Sequence, residues 1–241
     1  EAFRHTKWFR QLAARREQRR PLVVVGPFEH HSNEVTWREG WADVVEVHLD
    51  RATGGVDLTH LDAILTANAH RTLKIGSFSA GSNVTGMLAD VHGIARVLHK
   101  HGAVACFDYA ASGPYVRINM NPPNDPLGKL DAVVLSTHKF LGGPGSSGVL
   151  VFDANLYPAD LPPTVGGGGT VAFVTPTSQD YVHDIEERER SGTPGIVQTI
   201  RSALVMDLKR VVGEHVIEER EKFMVRHAMA RLTAHPRVMV L

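Results

Sequence analysis

Lys139 stands inside the stretch "VVLSTHKFLGGPGSSGVLVF", residues 133–152, between small apolar residues and a loop of glycines. A lysine that only meets solvent needs no such setting. Lysine is also the side chain that condenses with an aldehyde to form a Schiff base. Other residues of the right kind end apolar runs elsewhere: Asp108 closes "AVACFD", His30 and His31 follow "PLVVVG", and Ser136, Thr137 and His138 lead into Lys139. A buried carboxylate beside a pyridine nitrogen raises its pKa and supplies the counter-charge. A flat imidazole can lie over an aromatic ring, and hydroxyl and imidazole groups can donate to a phosphate or an imine.

Taken together, these types suit pyridoxal 5'-phosphate, the commonest aldehyde cofactor held by lysine. Each residue taken singly also has a plainer reading. Asp108 can be a strand-end aspartate bonded to backbone, His30 a helix cap, and "STH" a polar cluster with no ligand. No metal site is expected, because His30 and His31 lack Cys or His partners at ligand spacing. Cys106 lies two positions before Asp108 and so shares its face of a strand; between Ala105 and Phe107 it reads as buried and inert. Gly143, Gly145 and Gly148 spell G-x-G-x-x-G, but they precede an apolar strand instead of following one, so the dinucleotide reading fails. The P-loop reading fails too, for want of a Gly-Lys-Ser/Thr ending.

The elements that must carry these side chains are short apolar runs of β-branched character. They are "PLVVVG" (21–26), "VVEVHL" (44–49), "LKIGSFS" (73–79), "AVACFDYA" (103–110), "AVVLS" (132–136) and "GVLVF" (148–152). Helical patterns separate several of them. Residues 58–70 open on Asp57 or Thr59 as cap, and residues 91–102 stop at Gly102. The alternation predicts an α/β fold with a largely parallel sheet covered on both faces. Ligands of such sheets sit beyond the carboxyl ends of the strands, which is where the candidate residues fall. "LPPTVGGGGTVAF" (161–173) reads as a loop. Two long helices are expected to meet near Gly213, and "PRVMVL" (236–241) starts like a strand. The expected division is a basic N-terminal helix over 1–20, a cofactor-binding large domain over 21–212, incomplete at its N-terminal side, and the start of a truncated small domain over 213–241.

Composition narrows the partners. Of 241 residues, Lys+Arg and Asp+Glu number 26 each, a balance that suggests neither nucleic acid nor an anionic membrane. No apolar run approaches the ~20 residues that span a bilayer. The single cysteine fits a reducing compartment, so the expected location is cytoplasmic. Glu1 stands where an initiator methionine would be, so the start is expected to be a cut and organellar targeting stays open. The arginine-rich first 20 residues lack serine and read as a helix with a solvated basic face.

The ordered motifs "EHHSNEVTW", "SNVTG", "FDYAAS", "STHKFLGGPGSSGVL", "GGGGT" and "RSGTPG" resemble those of fold-type I pyridoxal-phosphate enzymes. More narrowly, the chain is similar to the class V aminotransferase group that contains the cysteine desulfurases and selenocysteine lyases. The resemblance covers about residues 23–205. It implies a three-layer αβα fold whose mostly parallel mixed sheet has one antiparallel edge strand, "GVLVF". It implies that Lys139 is the Schiff-base lysine and the base that removes the substrate α-proton, Asp108 the pyridinium partner, and His30 the ring-stacking histidine. By the same likeness Asn83 lies near the phenolic oxygen, and Ser136 and His138 are phosphate-side donors. Thr193 would reach the phosphate of another subunit, which implies a homodimer, and the substrate would be a small amino acid. The glycines after Lys139 are then expected to make room for the cofactor.

The sequence departs from the desulfurase pattern in places. Ala111 stands where those enzymes carry glutamine. Their catalytic cysteine, their carboxylate-binding arginine and their Gly-Thr phosphate loop are expected outside residues 1–241. Two alternatives stay open at this point: a lyase or epimerase acting on an amino acid other than cysteine, and a non-catalytic, dimer-forming fragment of the same fold.

Overall fold

The computed structural model describes residues 20–240; the basic helix expected over 1–20 lies almost wholly outside the described residues. Six strands form one sheet: β1 (Leu22–Val25), β2 (Asp43–Glu46), β3 (Lys74–Ser79), β4 (Val104–Asp108), β5 (Ala132–Leu135) and β6 (Val149–Phe152). Their spatial order is β2-β1-β3-β4-β5-β6. The first five run parallel and β6 pairs antiparallel with β5 at the edge, as expected of "GVLVF". The loop between them holds only the 3₁₀ turn Thr137–Lys139 and no helix that could cross over the sheet, which suits an antiparallel return.

The sequence of β1, "LVVV", shows why the sheet is covered twice. Leu22 and Val24 join one apolar cluster, while Val23 and Val25 join another on the opposite face. The first cluster is completed by helices α2 (Leu58–Ala67) and α3 (Val91–Lys100), through Leu61, Leu65, Ile94 and Leu98. The second is closed by α1 (His31–Arg38), whose Trp37 packs against it. Burial of these side chains, about 1.5–3 kcal/mol each, holds the layers together. Asp57 caps α2 by accepting the amides of Thr59 and His60, and Asp90 caps α3 through Gly93. Each cap fills an amide that the helix leaves without a partner.

Several boundaries differ from the expected ones. The run 44–49 pairs only as far as Glu46, and Leu49 instead bridges Val56. The helix expected over 58–70 ends at Ala67, because the Asn68 side chain bonds the carbonyl of Ile64 and closes the last turn. The expected loop 161–173 gives way at its end to a hairpin of β7 (Val171–Val174) and β8 (Gln179–Tyr181). That pair lies apart from the main sheet. Beside it a short helix, α4 (Ile185–Arg188), places the Arg188 guanidinium over the rings of Tyr157 and Tyr181. Two long helices follow, α5 (Ile196–Val212) and α6 (Glu214–Thr233), meeting at Gly213. Residues 236–240 form no strand. An apolar segment with no neighbouring edge has nothing to pair with.

Candidate active site

The sheet brings its polar strand ends to one place. A cavity of about 340 Å³ opens beyond the carboxyl ends of β3, β4 and β5, lined by His30, Ser32, Ser79, Gly81, Asn83, Asp108, Ala110, Ala111, Ser136, His138 and Lys139. Six of the seven residues singled out from the sequence are therefore gathered there. Thr193, in the exposed segment before α5, does not line it.

Each element fixes its contribution by local rules. Asp108 is the last residue of β4, opposite Ser79 in the β3–β4 register. Its Oδ1 accepts the amide of Ala110 at 2.7 Å, as a strand-end aspartate can, and no described residue bonds its Oδ2. His30 is the N-cap of α1, its Nδ1 accepting the Ser32 amide at 3.2 Å and lying 2.6 Å from the Ser32 hydroxyl. The plainer reading of His30 as a cap is thus realised, and the ring still borders the cavity. Asn83 sits in a turn built by the Ser82 hydroxyl, which accepts the amides of Val84 and Thr85. Its own side chain meets no partner among the described residues.

Lys139 ends a single 3₁₀ turn, Thr137–Lys139, that leaves β5 directly. Ser136 opens that turn without spending its hydroxyl on a cap, and His138 and Lys139 are exposed to the cavity side. Among the described residues the Lys139 amine has neither an ion pair nor a hydrogen bond. One of the glycines behind it, Gly143, has a different task from the one expected. None of Gly142, Gly143, Gly145 or Gly148 lines the cavity. A Cβ on Gly143 would lie 2.0 Å from the carbonyl oxygen of Thr137 and 2.8 Å from that of Phe140. Gly143 lets the chain fold back against the turn that presents the lysine.

The donor set fits pyridoxal 5'-phosphate. It holds a partnerless amine, a carboxylate with a free oxygen at a strand end, a flat imidazole, and hydroxyl, imidazole and amide donors around one hollow. An adjoining hollow of about 540 Å³ shares Gly81, Asn83, Ala111 and Lys139, and is flanked by Leu88, Tyr115, Met224 and Val225. Ala111, the departure noted above, forms part of the wall between the two. Cys106 takes no part: burial, with the Asp131 charge adding to it, pushes its thiol up to about 12. No group of three or more His, Cys, Asp or Glu that could hold a metal occurs among the described residues. Likewise, no helix among them is long and apolar enough to cross a membrane.

Two polar residues that line the cavity, Ser32 and Ser79, received no role from the sequence, and neither did Glu29, which is bonded to Ser79 behind it. Ser79 was legible only as the end of a strand. Glu29 had a stronger signal, a carboxylate set between an apolar strand and a helix cap.

The sequence model of the aminotransferase class-V family matches residues 9–241. The chain belongs to that family. Members of it, the cysteine desulfurases among them, use pyridoxal 5'-phosphate. A Streptomyces coelicolor protein named "Probable cysteine desulfurase" is 28% identical over 228 residues, covering 91% of this chain and 50% of that protein. The cysteine desulfurase of Enterobacter sp. strain 638 is 29% identical over 220 residues, with 89% and 51% covered. This class-V chain therefore spans about half the length of the curated relatives it matches. In structure it is similar to the apo cysteine desulfurase of Thermococcus onnurineus, with a TM-score of 0.74 at 23% identity over 89% of this chain and 52% of that one. That likeness identifies the fold-type I architecture.

Proposed function

We propose that this chain is the cofactor-binding part, over 21–212, of a pyridoxal-phosphate-dependent enzyme of the cysteine desulfurase kind, in which Lys139 holds the cofactor as a Schiff base and an amino acid is the substrate. The observation that carries the reading is the cavity itself. It sets a partnerless lysine, a strand-end aspartate and a helix-capping histidine around one space, drawn from three separate strand ends. When bound, the cofactor supplies an aldehyde and an electron-withdrawing ring.

The chain's own residues do the rest. Asp108 Oδ2 can accept a proton-bearing ring nitrogen and keep it cationic, because an adjacent carboxylate favours the charged form. His30, at the cavity wall, offers a flat imidazole that can lie against an aromatic ring. Ser136, His138 and Asn83 offer donors to anionic oxygens, and such charge-assisted bonds are worth roughly twice neutral ones. Lys139 Nζ would be the base that takes a proton from the substrate α-carbon. Thr193 serves a second copy of the chain in a homodimer. Residues 213–241 open the smaller domain.

Borohydride reduction of the full-length protein with pyridoxal 5'-phosphate tests this directly. A phosphopyridoxyl adduct should map to the peptide containing Lys139, and cysteine should yield alanine and sulfide. An adduct at another lysine, or none, would remove the basis of the reading. Keto-acid formation without sulfide would keep the site and replace the reaction.

A further inference from the structure

Glu29, immediately before His30, has no part in the chemistry above, yet its carboxylate is fully engaged. Oε1 accepts the amides of Gly26 at 3.1 Å and Ser79 at 2.9 Å. Oε2 accepts the side-chain amide of Asn33 at 2.7 Å and the hydroxyl of Ser79 at 2.6 Å. The four donors come from three segments: the turn after β1, the body of α1 and the end of β3. A Cβ on Gly26 would stand 2.5 Å from Oε1, so only glycine lets the backbone approach the carboxylate this closely. Asn33 is itself held, its Oδ1 accepting the Ser77 hydroxyl at 2.7 Å.

The position of this knot matters more than its strength. Ser79 is paired with Asp108 across β3 and β4, and both line the cavity. Glu29 therefore ties the turn that carries His30 to the strand end beside Asp108. The fold gains little from the charge as such: burial raises the Glu29 carboxyl above its ordinary range, even against the bonds from Ser79, Asn33 and Gly26. A group shifted that way favours the folded state most when protonated, and that advantage drains away as pH rises through the folded value.

We propose that Glu29 is a positioning residue for the cofactor: by anchoring the β1–α1 turn to Ser79, it fixes the place of the His30 ring relative to Asp108. This rests on the reading of the cavity as a pyridoxal-phosphate site. In Glu29→Gln the amide nitrogen must replace an oxygen that accepts two of the four donors, so the anchor is broken while the volume is kept. Glu29→Asp keeps the charge and shortens the arm.

The test uses the full-length protein and four variants: Glu29→Gln, His30→Ala, the double variant, and Ser77→Ala as a control inside the same network. Pyridoxal 5'-phosphate affinity is measured by fluorescence quenching, and the asymmetry of the bound ring by visible circular dichroism. Glu29→Gln should weaken binding about tenfold, the loss of one charge-assisted contact, and reduce the visible signal. On the His30→Ala background the same change should cost no more than about twofold, since the two residues act through one contact. Ser77→Ala should lower the melting temperature and leave the visible signal intact. Wild-type affinity and signal in Glu29→Gln would overturn the proposal, as would losses that simply multiply in the double variant. If Glu29→Gln does not fold, Glu29→Asp decides: a reduced visible signal supports the role and an unchanged one refutes it. A wild-type protein that binds no cofactor would instead sink the site reading, and this inference with it.

Discussion

The hydroxyl of Thr137 lies 3.1 Å from that of Ser202, and through it the turn bearing Lys139 is fastened to α5. Thr137 is wholly buried, and its Oγ1 also meets the Ser146 hydroxyl at 2.8 Å and donates to the Ser147 carbonyl. Ser202 in turn lies 2.8 Å from that same carbonyl. The lysine thus sits at the end of a short arm whose root is clamped by a buried cluster of hydroxyls. Clamping the root costs entropy once, at folding, and not each time a ligand arrives.

Thr137→Val should expose how much that clamp contributes. The substitution keeps the shape and removes the hydroxyl, leaving buried partners with fewer bonds. A loss of about 1–3 kcal/mol is expected. Urea denaturation should show an earlier midpoint with an unchanged slope. A midpoint equal to that of the wild type would mean the neighbouring serines rearrange to satisfy one another.

Lys139→Ala in the full-length protein removes the amine and little else, since the side chain is exposed and makes no bond to described residues. A folded protein that still takes up cofactor noncovalently is expected, with no adduct after borohydride and turnover lower by orders of magnitude. Lys129→Ala is the contrasting change. Lys129 pairs with Asp131 at 3.0 Å and Asp153 at 3.2 Å, at the opposite end of the strands. Its loss should cost about 1 kcal/mol or less and leave trapping at Lys139 unchanged. Covalent trapping in Lys139→Ala would be fatal to the proposed chemistry.

The sequence exposed the sheet and its ligand edge because both depend on local pattern. "LVVV" is a short β-branched run apolar on both faces, the pattern of a covered strand, and Asp108 and Ser136 end their runs where pairing stops. Other features were hidden because they depend on contacts between distant residues. The position of Gly143 after Lys139 suggests room for a ligand, whereas it makes room for the carbonyl of Thr137. The hairpin at Val171–Val174 needed its partner at Gln179–Tyr181 to declare itself. Glu29 opens the motif "EHHSNEVTW", but its bonds to Ser79 span fifty residues and no spacing rule reports them.

Asp108→Asn tests the electrostatic half of the site. The amide oxygen can keep the bond to the Ala110 amide, so the turn after β4 should stand. What disappears is the negative charge that favours a protonated ring nitrogen. Turnover should fall roughly a hundredfold or more, the scale seen when one preorganised stabilising group is removed. Cofactor affinity should fall far less. A variant with near wild-type turnover would place the counter-charge elsewhere in the cavity.

Asp131 gives a prediction about pH and stability away from the site. It is buried at the start of β5, where its Oδ2 accepts the Ala105 amide at 2.8 Å and lies 2.7 Å from His99 Nε2. Burial by itself pushes this carboxyl up, but the bonds from His99, Ala105 and Lys129 outweigh it, and the net result lies below the ordinary 3.8. A carboxyl lowered in the folded state adds stability above its unfolded value and loses it as pH falls through the folded one. The wild type should therefore weaken below 3.8 in a way that Asp131→Asn does not. At neutral pH the variant should be less stable by about 3 kcal/mol, the cost of breaking a buried pair on one side. Denaturation curves at about pH 7 and about pH 3 should show that gap closing in acid. A gap of equal size at both would mean that shape, and not charge, holds β4 and β5 together at this end. Turnover per folded molecule should not change, because Asp131 lies at the amino end of its strand and the cavity at the other.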